Sequence, residues 1–413
     1  MKNIIFVIST LQEADCFFAF ASGLINKNKK LNIITIIDNP EFSEQLKKNK
    51  SLFRGFKKIG FLFCRKKKNK ILQKIYSLSW ILKLVLFLIK LDKPILLAGG
   101  NFNNIYRIFF QFFCLRKKGK IMILNPLSFI WDYQYDRFRK EKATEKLFEK
   151  NFWHKILNLG PKGFIYYTNK QLGFVKLQQK NQKFTSKQVC CSGLGTNTKY
   201  FRNFFNEESE KYKKKISFLK KSEKNKKIYT IICCVYGQRY LLKKYSQEII
   251  LESIIDEILK CNKNSIILLR RHPKDIDDKI SHVLKVFSKL KLKKKNVFFT
   301  NLHPQILSRI SSRVLCYART NVMTDIFESK MIDCSEYKKV DLNRNNGQSP
   351  GNYGYGVIYV NPRKKNFKEK FRHVLINDNS FLNKKVYKEE EKLIKQNQFD
   401  YKKIEEFIKK NSL

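Results

Sequence analysis

The sequence has few acidic residues and lacks the motifs that identify several common enzyme classes. Its 413 residues include 35 Asp and Glu against 85 Lys and Arg, which gives a formal net charge of +50. It contains no G-x-x-x-x-G-K-[ST] phosphate loop, no G-x-G-x-x-G after the first apolar run and no H-E-x-x-H. These absences argue against P-loop kinases, simple dehydrogenases and zincins.

The sequence also lacks the cysteine spacings of a zinc site or a redox motif. Ten Cys are present, two pairs of which are adjacent, but none forms C-x-x-C or a Cys/His pattern suited to zinc. The adjacent pairs, Cys190-Cys191 and Cys233-Cys234, fall in apolar runs that resemble strands. We therefore expect buried, unpaired thiols and a reducing, cytoplasmic location.

No segment has the features of a signal peptide or a membrane span. The opening MKNIIFVIST has no small-residue cleavage site and predicts a buried strand. The most apolar stretch, 76–91, is shorter than a span and is interrupted by Lys83. It predicts a packing helix of the first domain, with an interfacial helix at the inner face of the cytoplasmic membrane as the alternative.

The positive charge is spread along the chain and is not concentrated in one Arg-rich block. Compositional drift towards Lys explains such a distribution first, attraction to anionic lipid headgroups second, and nucleic-acid binding last. We expect peripheral contact with an anionic membrane and no nucleic-acid partner.

Apolar strands alternate with helical segments in both halves of the chain. The first half opens with strands 4–8 and 33–37 around a helix, and the pattern restarts at strand 228–235. This alternation predicts an α/β fold with two Rossmann-like, doubly wound domains that face a cleft. We expect an N-terminal acceptor domain at 1–205, a linker at 206–227 and a C-terminal nucleotide-sugar-binding domain with the terminal helices at 228–413.

A basic turn follows one strand of the second half. Leu268-Leu269 leads into Arg271-His272-Pro273, which places guanidinium and imidazole donors where open α/β sheets bind ligands. We expect Arg271 and His272 to bind phosphate. The alternative is a solvated turn, because such a tripeptide arises easily by chance in so basic a chain.

This His-Pro after a strand of the second domain resembles a motif of GT-B-fold bacterial glycosyltransferases of surface and capsular polysaccharide synthesis. The resemblance is to the sialyltransferase-like, Kdo-transferase-like and polyol-phosphate-transferase-like groups, and it covers the general strand and helix layout of the chain. It implies a GT-B-like fold, a nucleotide-sugar donor, a cytidine nucleotide and a phosphate ligand at His272. The Asp/Glu-Asp/Glu-Gly motif of the sialyltransferase-like group is missing.

A second polar turn, Arg319-Thr320-Asn321, follows strand 314–317 and precedes a short helix. Thr320 or Asn321 is suited to cap that helix, whose first amides then face an anion. The resemblance places the nucleotide-phosphate loop here, with Arg319 as a further donor and Glu328 on a ribose or donor-sugar hydroxyl. An ordinary N-cap and a solvated helix charge are the alternatives.

An inverting transfer requires a carboxylate base in the first domain. Glu13 and Asp15 follow the first strand, and Asp132 has aromatic neighbours suited to sugar stacking. We take all three as catalytic candidates. Glu13 and Asp15 have the alternative of being first-turn helix acids.

The acidic run Asp275-Ile276-Asp277-Asp278 matches the D-x-D pattern of metal-dependent transferases, but it opens a helix. Acids in a first turn are favourable with the helix dipole, so we interpret the run as structural. We expect no metal and no cofactor, with the nucleotide sugar as donor substrate.

Together these features predict a glycosyltransferase that moves a sugar, or a sugar-like group, to a cell-surface polysaccharide or a lipid-linked glycan acceptor. A sugar-nucleotide epimerase of the same architecture and a noncatalytic basic nucleic-acid-binding module are the alternatives.

Overall fold

The structure is a computed structural model that divides the chain into two compact units. The first comprises residues 1–204 and 397–413, and the second comprises residues 205–396. The residues that the structure describes are 2–66, 70–99, 104–125, 152–167, 176, 184–220, 227–233, 246–270, 288–289, 296–317, 331–337, 339–344, 357–377, 388, 391–392 and 395–411.

The first unit contains a seven-stranded parallel sheet with the order β3-β2-β1-β4-β5-β6-β7. The order reverses direction at β1, as in doubly wound sheets. Its strands are β1 (Asn3–Ile8), β2 (Asn32–Ile37), β3 (Phe61–Cys64), β4 (Ile95–Ala98), β5 (Lys120–Leu124), β6 (Gly163–Tyr166) and β7 (Val189–Cys191).

Side-chain caps begin several helices of this unit. The Thr10 hydroxyl accepts from the Glu13 amide at 3.2 Å, and the carboxamide oxygens of Asn39, Asn49 and Asn104 cap the next helices in the same way. The helices are α1 (Leu11–Lys27), α2 (Pro40–Lys48), α3 (Lys50–Ile59), α4 (Lys70–Ile89), α5 (Ile105–Arg116) and α6 (Phe152–Ile156).

Helices α4 and α5 cover part of the first sheet. Leu84 and Leu88 of α4 join Phe110 and Cys114 of α5 in one buried cluster with Leu96 of β4 and other strand residues. One face of each helix therefore packs against the sheet, and the other faces do not contribute to this cluster.

A long helix connects the two units. Helix α7 (Lys199–Lys220) begins in the first unit and continues into the second. The sequence predicts a linker at 206–227, whereas the structure has helix over the first 15 residues of that span. The Lys/Glu-rich composition of this region suits an exposed helix as well as it suits a linker.

The second unit contains a six-stranded parallel sheet with the order β10-β9-β8-β11-β12-β13. Its strands are β8 (Ile228–Ile232), β9 (Ile266–Arg270), β10 (Val297–Thr300), β11 (Arg313–Cys316), β12 (Met331–Asp333) and β13 (Val357–Tyr359). Its helices are α8 (Ser246–Cys261), α9 (Pro304–Ile310), α10 (Lys339–Arg344) and α11 (Phe367–Ile376). Two doubly wound α/β sheets are present, which confirms the predicted fold class.

The C-terminal segment packs on the first unit. The Leu194 amide donates to the Asn397 carbonyl and the Asp400 amide to the Ser192 carbonyl, both at 2.9 Å. Helix α12 (Tyr401–Lys410) then buries three apolar side chains, Ile404, Phe407 and Ile408. The sequence assigns the terminal helices to the C-terminal domain, and the structure instead places 397–413 in the first unit, because one helix face matches an apolar surface there.

The cysteines in the described ranges are free thiols, and most of them are buried. Burial raises the pKa of Cys114 and of Cys190 to about 12, so these groups stay protonated and act as small apolar side chains. Among the described residues, no helix is both long enough and apolar enough to cross a membrane.

Candidate functional site

A polar cluster lies at the carboxyl edge of the first sheet. Parallel strands end at one common edge, and open α/β sheets bind ligands there. Ser9 directly follows β1, Asp38 directly follows β2 and Gly99 directly follows β4, which are adjacent strands of the sheet. The chain therefore brings polar groups from separate parts of the sequence to the β1 end of the edge.

Glu13 projects into this edge from the first turn of α1. The residue is only 7% exposed, and its Oε2 accepts a 2.5 Å hydrogen bond from the Ser9 amide. Gly99 lies against the same carboxyl group, since a Cβ built on Gly99 would come within 2.3 Å of Glu13 Oε1. A glycine at this position makes room for the carboxyl group.

Asp38 and Arg107 form a buried ion pair beside Glu13. Arg107 Nε donates to Asp38 Oδ2 at 3.0 Å, and each side chain is 2% exposed. Ser9 Oγ donates to Asp38 Oδ1 at 3.2 Å, and Arg107 also donates to Ser9 Oγ. A buried ion pair is stable when its remaining hydrogen-bonding groups are satisfied in this way.

Burial raises the pKa of the Glu13 carboxyl group above its ordinary value of 4.5. The nearby Arg107 charge and the Ser9 and Thr10 amides oppose that rise, and the Asp38 charge adds to it. Desolvation dominates because a buried carboxylate loses its hydration. A carboxyl group with a raised pKa is suited to accept or donate a proton in a reaction.

Asp15 lies on a different face of α1 from Glu13. It lies two residues beyond Glu13 on α1, about 200° around an ideal helix, and it is half-buried. The structure therefore separates the two carboxylates that adjacency in sequence had grouped. Its catalytic role stays a prediction, and the geometry of the cluster favours Glu13.

The other predicted site residues lie outside the described residues. They are Asp132, Arg271, His272, Arg319, Thr320, Asn321 and Glu328. The strands that precede two of these groups are described, and β9 and β11 both pair in parallel with β8. The carboxyl ends of β9 and β11 thus lie at the same edge of the second sheet, on either side of β8.

A second buried polar cluster lies at the carboxyl edge of the second sheet. Asp333 ends β12 and is fully buried; its Oδ1 accepts from the Ser335 amide at 2.9 Å and its Oδ2 from the Tyr337 hydroxyl at 2.8 Å. The buried Ser335 hydroxyl has no hydrogen-bond partner among the described atoms. Asp333 Oδ1 also accepts from Cys316 Sγ of the neighbouring β11 at 3.4 Å, so Asp333 bonds to its own loop and to the next strand, and we interpret its contacts as structural.

Sequence reasoning missed Asp38, Arg107 and Asp333. Two signals could have identified them: Asp38 and Asp333 each lie at the end of an apolar strand, and Arg107 is a single charge inside the apolar segment IYRIFFQFF. A charge in such a segment requires a buried partner. No part of the described structure groups three His, Cys, Asp or Glu side chains as metal ligands.

No protein-family model matches the chain, and no curated protein sequence matches it either. Solved structures do match. UDP-GlcNAc 2-epimerase from Neisseria meningitidis bound to UDP-GlcNAc is 14% identical, with a TM-score of 0.54 over 99% of this chain and 100% of that chain. A putative UDP-N-acetylglucosamine 2-epimerase from Listeria monocytogenes is 9% identical, with a TM-score of 0.53 over 94% and 91%.

A third match is UDP-GlcNAc 2-epimerase from Methanocaldococcus jannaschii, which is 12% identical with a TM-score of 0.51 over 94% of this chain and 98% of that chain. At these identities the likeness shows the fold alone. The chain therefore has the two-domain GT-B-like α/β fold over nearly its whole length.

Proposed function

We propose that this protein is a metal-independent enzyme that uses a nucleotide sugar and transfers the sugar, or a sugar-like group, to a surface-polysaccharide or lipid-linked acceptor. The observation that carries the proposal is the buried Glu13 carboxyl group at the carboxyl edge of the first sheet. Its raised pKa and its position beside Gly99 suit a general base. The fold likeness to a structure bound to UDP-GlcNAc supports a nucleotide-sugar ligand.

In this proposal Glu13 and the predicted phosphate-binding residues have separate roles. Glu13 takes the proton of the acceptor hydroxyl as its oxygen forms the new glycosidic bond. The bond between the sugar and the nucleotide phosphate breaks, and Arg271, His272 and the turn 319–321 stabilise the charge on the departing phosphate. Glu328 contacts a ribose or donor-sugar hydroxyl.

The Asp38–Arg107 pair positions Glu13 in this scheme without contacting substrate. The Ser9 hydroxyl donates to Asp38, which fixes the position of Ser9. The Ser9 amide in turn donates to the Glu13 carboxylate. Arg107 brings a positive charge near Glu13, which limits the rise of the pKa.

Two observations favour different nucleosides for the donor. The His-Pro resemblance favours a cytidine donor, whereas the solved structures with the same fold favour a uridine donor, since their names specify UDP-GlcNAc. We therefore test both nucleosides directly.

The test is thermal stabilisation by CMP, CDP, UDP and GDP. A ligand that binds the native state raises the apparent melting temperature. We expect one nucleoside to stabilise the wild type, His272→Ala to lose most of that shift, and His373→Ala, which changes an exposed histidine of α11, to keep it. The absence of any shift with all four nucleotides would contradict the proposal.

A UDP-GlcNAc 2-epimerase activity is the second candidate, because the three matching structures described above carry that name. The two reactions differ in their need for an acceptor. An epimerase changes the sugar configuration of the nucleotide sugar without acceptor, whereas a transferase consumes the donor only when an acceptor is supplied. Proton NMR of the anomeric and H2 signals of the donor distinguishes them.

A further inference from the structure

Helix α4 carries an apolar stripe that its own unit leaves exposed. Leu78, Leu82, Leu86 and Ile89 are 63%, 57%, 64% and 45% exposed. Their spacing of four, four and three residues places them on one helix face. We call these four residues the α4 stripe.

The α4 stripe lies opposite the face that packs on the sheet. Leu84 and Leu88, which belong to the buried cluster of the first unit, are 0% and 4% exposed. One face of the helix therefore packs on the sheet. The opposite face is a continuous apolar surface about three turns long. Contiguous exposed apolar surface of this kind marks an interaction site.

Lysines lie near the α4 stripe along the sequence. From Lys70 to Lys90 the sequence contains four lysines and no acidic residue, and the exposed Lys83 and Lys90 belong to this set. The basic run Arg65-Lys66-Lys67-Lys68 ends two residues before the helix begins at Lys70. An apolar helix face beside clustered lysines is the pattern of proteins that bind anionic lipid surfaces.

We propose that the α4 stripe docks the first unit on an anionic membrane surface. The leucine side chains enter the boundary between headgroups and acyl chains, and the flanking ammonium groups contact lipid phosphates. The helix lies in the plane of the interface and does not cross the bilayer. This proposal is independent of the reaction that the protein catalyses.

A second copy of the chain is the less favourable occupant of this face. A two-fold contact through α4 would place two positively charged helices side by side, each with Lys83 and Lys90 exposed, and like charges repel. Four side chains on one helix also supply much less area than the roughly 800 Å² per partner of a stable interface.

The test is co-flotation of the full chain with vesicles of phosphatidylcholine alone or mixed with phosphatidylglycerol. The key variant is Leu82→Gln/Leu86→Gln, which makes the stripe polar without touching the core. The matched control is Ile249→Gln/Ile376→Gln, which changes two similarly exposed apolar residues of the second unit, 59% and 61% exposed. A third variant, Lys83→Gln/Lys90→Gln, removes flanking charge.

We expect wild type and the control to bind the anionic vesicles and to bind phosphatidylcholine weakly. The stripe variant should bind the anionic vesicles at least about tenfold more weakly, because two large apolar contacts are lost. The charge variant should lose about tenfold on anionic vesicles alone. All variants should keep the wild-type melting curve, since the changed residues are exposed.

Three results would overturn the proposal. One is a wild type that does not float with anionic vesicles. Another is a stripe variant that floats as well as the control. The last is a wild-type dimer in light scattering that the stripe variant converts to monomer without any vesicle binding, which would assign the stripe to a second copy of the chain.

Discussion

At the scale of single residues, the polar cluster at the first sheet edge depends on the pairing of buried charges. Asp38 and Arg107 are almost fully buried, so water does not solvate either charge and each serves as the counter-charge of the other. Breaking such a pair by changing one partner costs far more than changing both.

We therefore expect Arg107→Met to lower the free energy of unfolding by about 3 to 5 kcal/mol, because it leaves the Asp38 carboxylate buried and unpaired. Adding Asp38→Asn should restore much of that loss. Urea denaturation followed by circular dichroism measures both. A single variant as stable as wild type would show that the pair is not buried in solution.

Glu13 gives a second prediction at this scale, through the pH dependence of stability. Burial raises its folded-state pKa, so the native state holds this proton more tightly than the unfolded chain. The resulting stabilisation is fully present below the ordinary, unfolded-state pKa of 4.5 and is lost as the pH rises through the folded-state pKa.

The side chain of the Glu13→Gln variant cannot ionise, so this variant should not lose stability as the pH rises through the folded-state pKa of Glu13. The stability of the variant relative to wild type should rise with pH across the interval between the two pKa values and then stay constant. Chemical denaturation at a series of pH values measures this difference. A constant difference across the whole series would mean that the folded-state pKa of Glu13 is not raised.

At the scale of secondary-structure elements, substitutions in the C-terminal helix α12 test whether this helix belongs to the first unit. Phe407 of α12 is 8% exposed and lies near Gly163 at the start of β6, where an added Cβ would come within 2.9 Å of its ring. Neighbouring Glu406 is exposed on the same helix.

We expect Phe407→Ala to destabilise the protein by about 3 kcal/mol, the typical cost of removing a buried phenyl group. Glu406→Ala should change stability by no more than about 0.5 kcal/mol. Thermal unfolding with separate probes in the two units locates the effect. Destabilisation confined to the second unit would contradict the assignment of 397–413 to the first.

The elements that sequence reasoning identified best are the buried parallel strands. The runs 4–8 and 33–37 are continuous and apolar because both faces of a parallel sheet are covered, and the structure has strands there. The segment 40–64, in which the sequence pattern predicts no element, folds as α2, α3 and β3. Its Lys-rich surface hides an apolar periodicity that includes Phe42, Leu46 and Phe56.

At the scale of the whole molecule, the alternation of strands and helices was sufficient to predict two doubly wound sheets, because each apolar strand needs a crossover helix to reach its parallel neighbour. The position of the C-terminal helix was not predictable, since its amphipathic pattern states only that one face is buried. Each of Asp38 and Arg107 carries a signal in the sequence, but their pairing with one another was not predictable for a related reason. The two residues are 69 positions apart, and only the sheet order brings them together.

The central claim is that Glu13 serves as the base of a reaction on a nucleotide sugar, and its most direct test is turnover by matched carboxamide variants. Glu13→Gln keeps the shape of the side chain but removes the base, and Glu41→Gln changes an exposed acid at the equivalent first turn of α2.

The measurement is donor consumption by proton NMR, with the nucleotide sugar that the stabilisation panel selects. We expect Glu13→Gln to lose at least about 100-fold in kcat while it keeps the nucleotide-induced rise in melting temperature. Glu41→Gln should match wild type in both. A Glu13→Gln variant that turns over the donor at the wild-type rate would contradict the account.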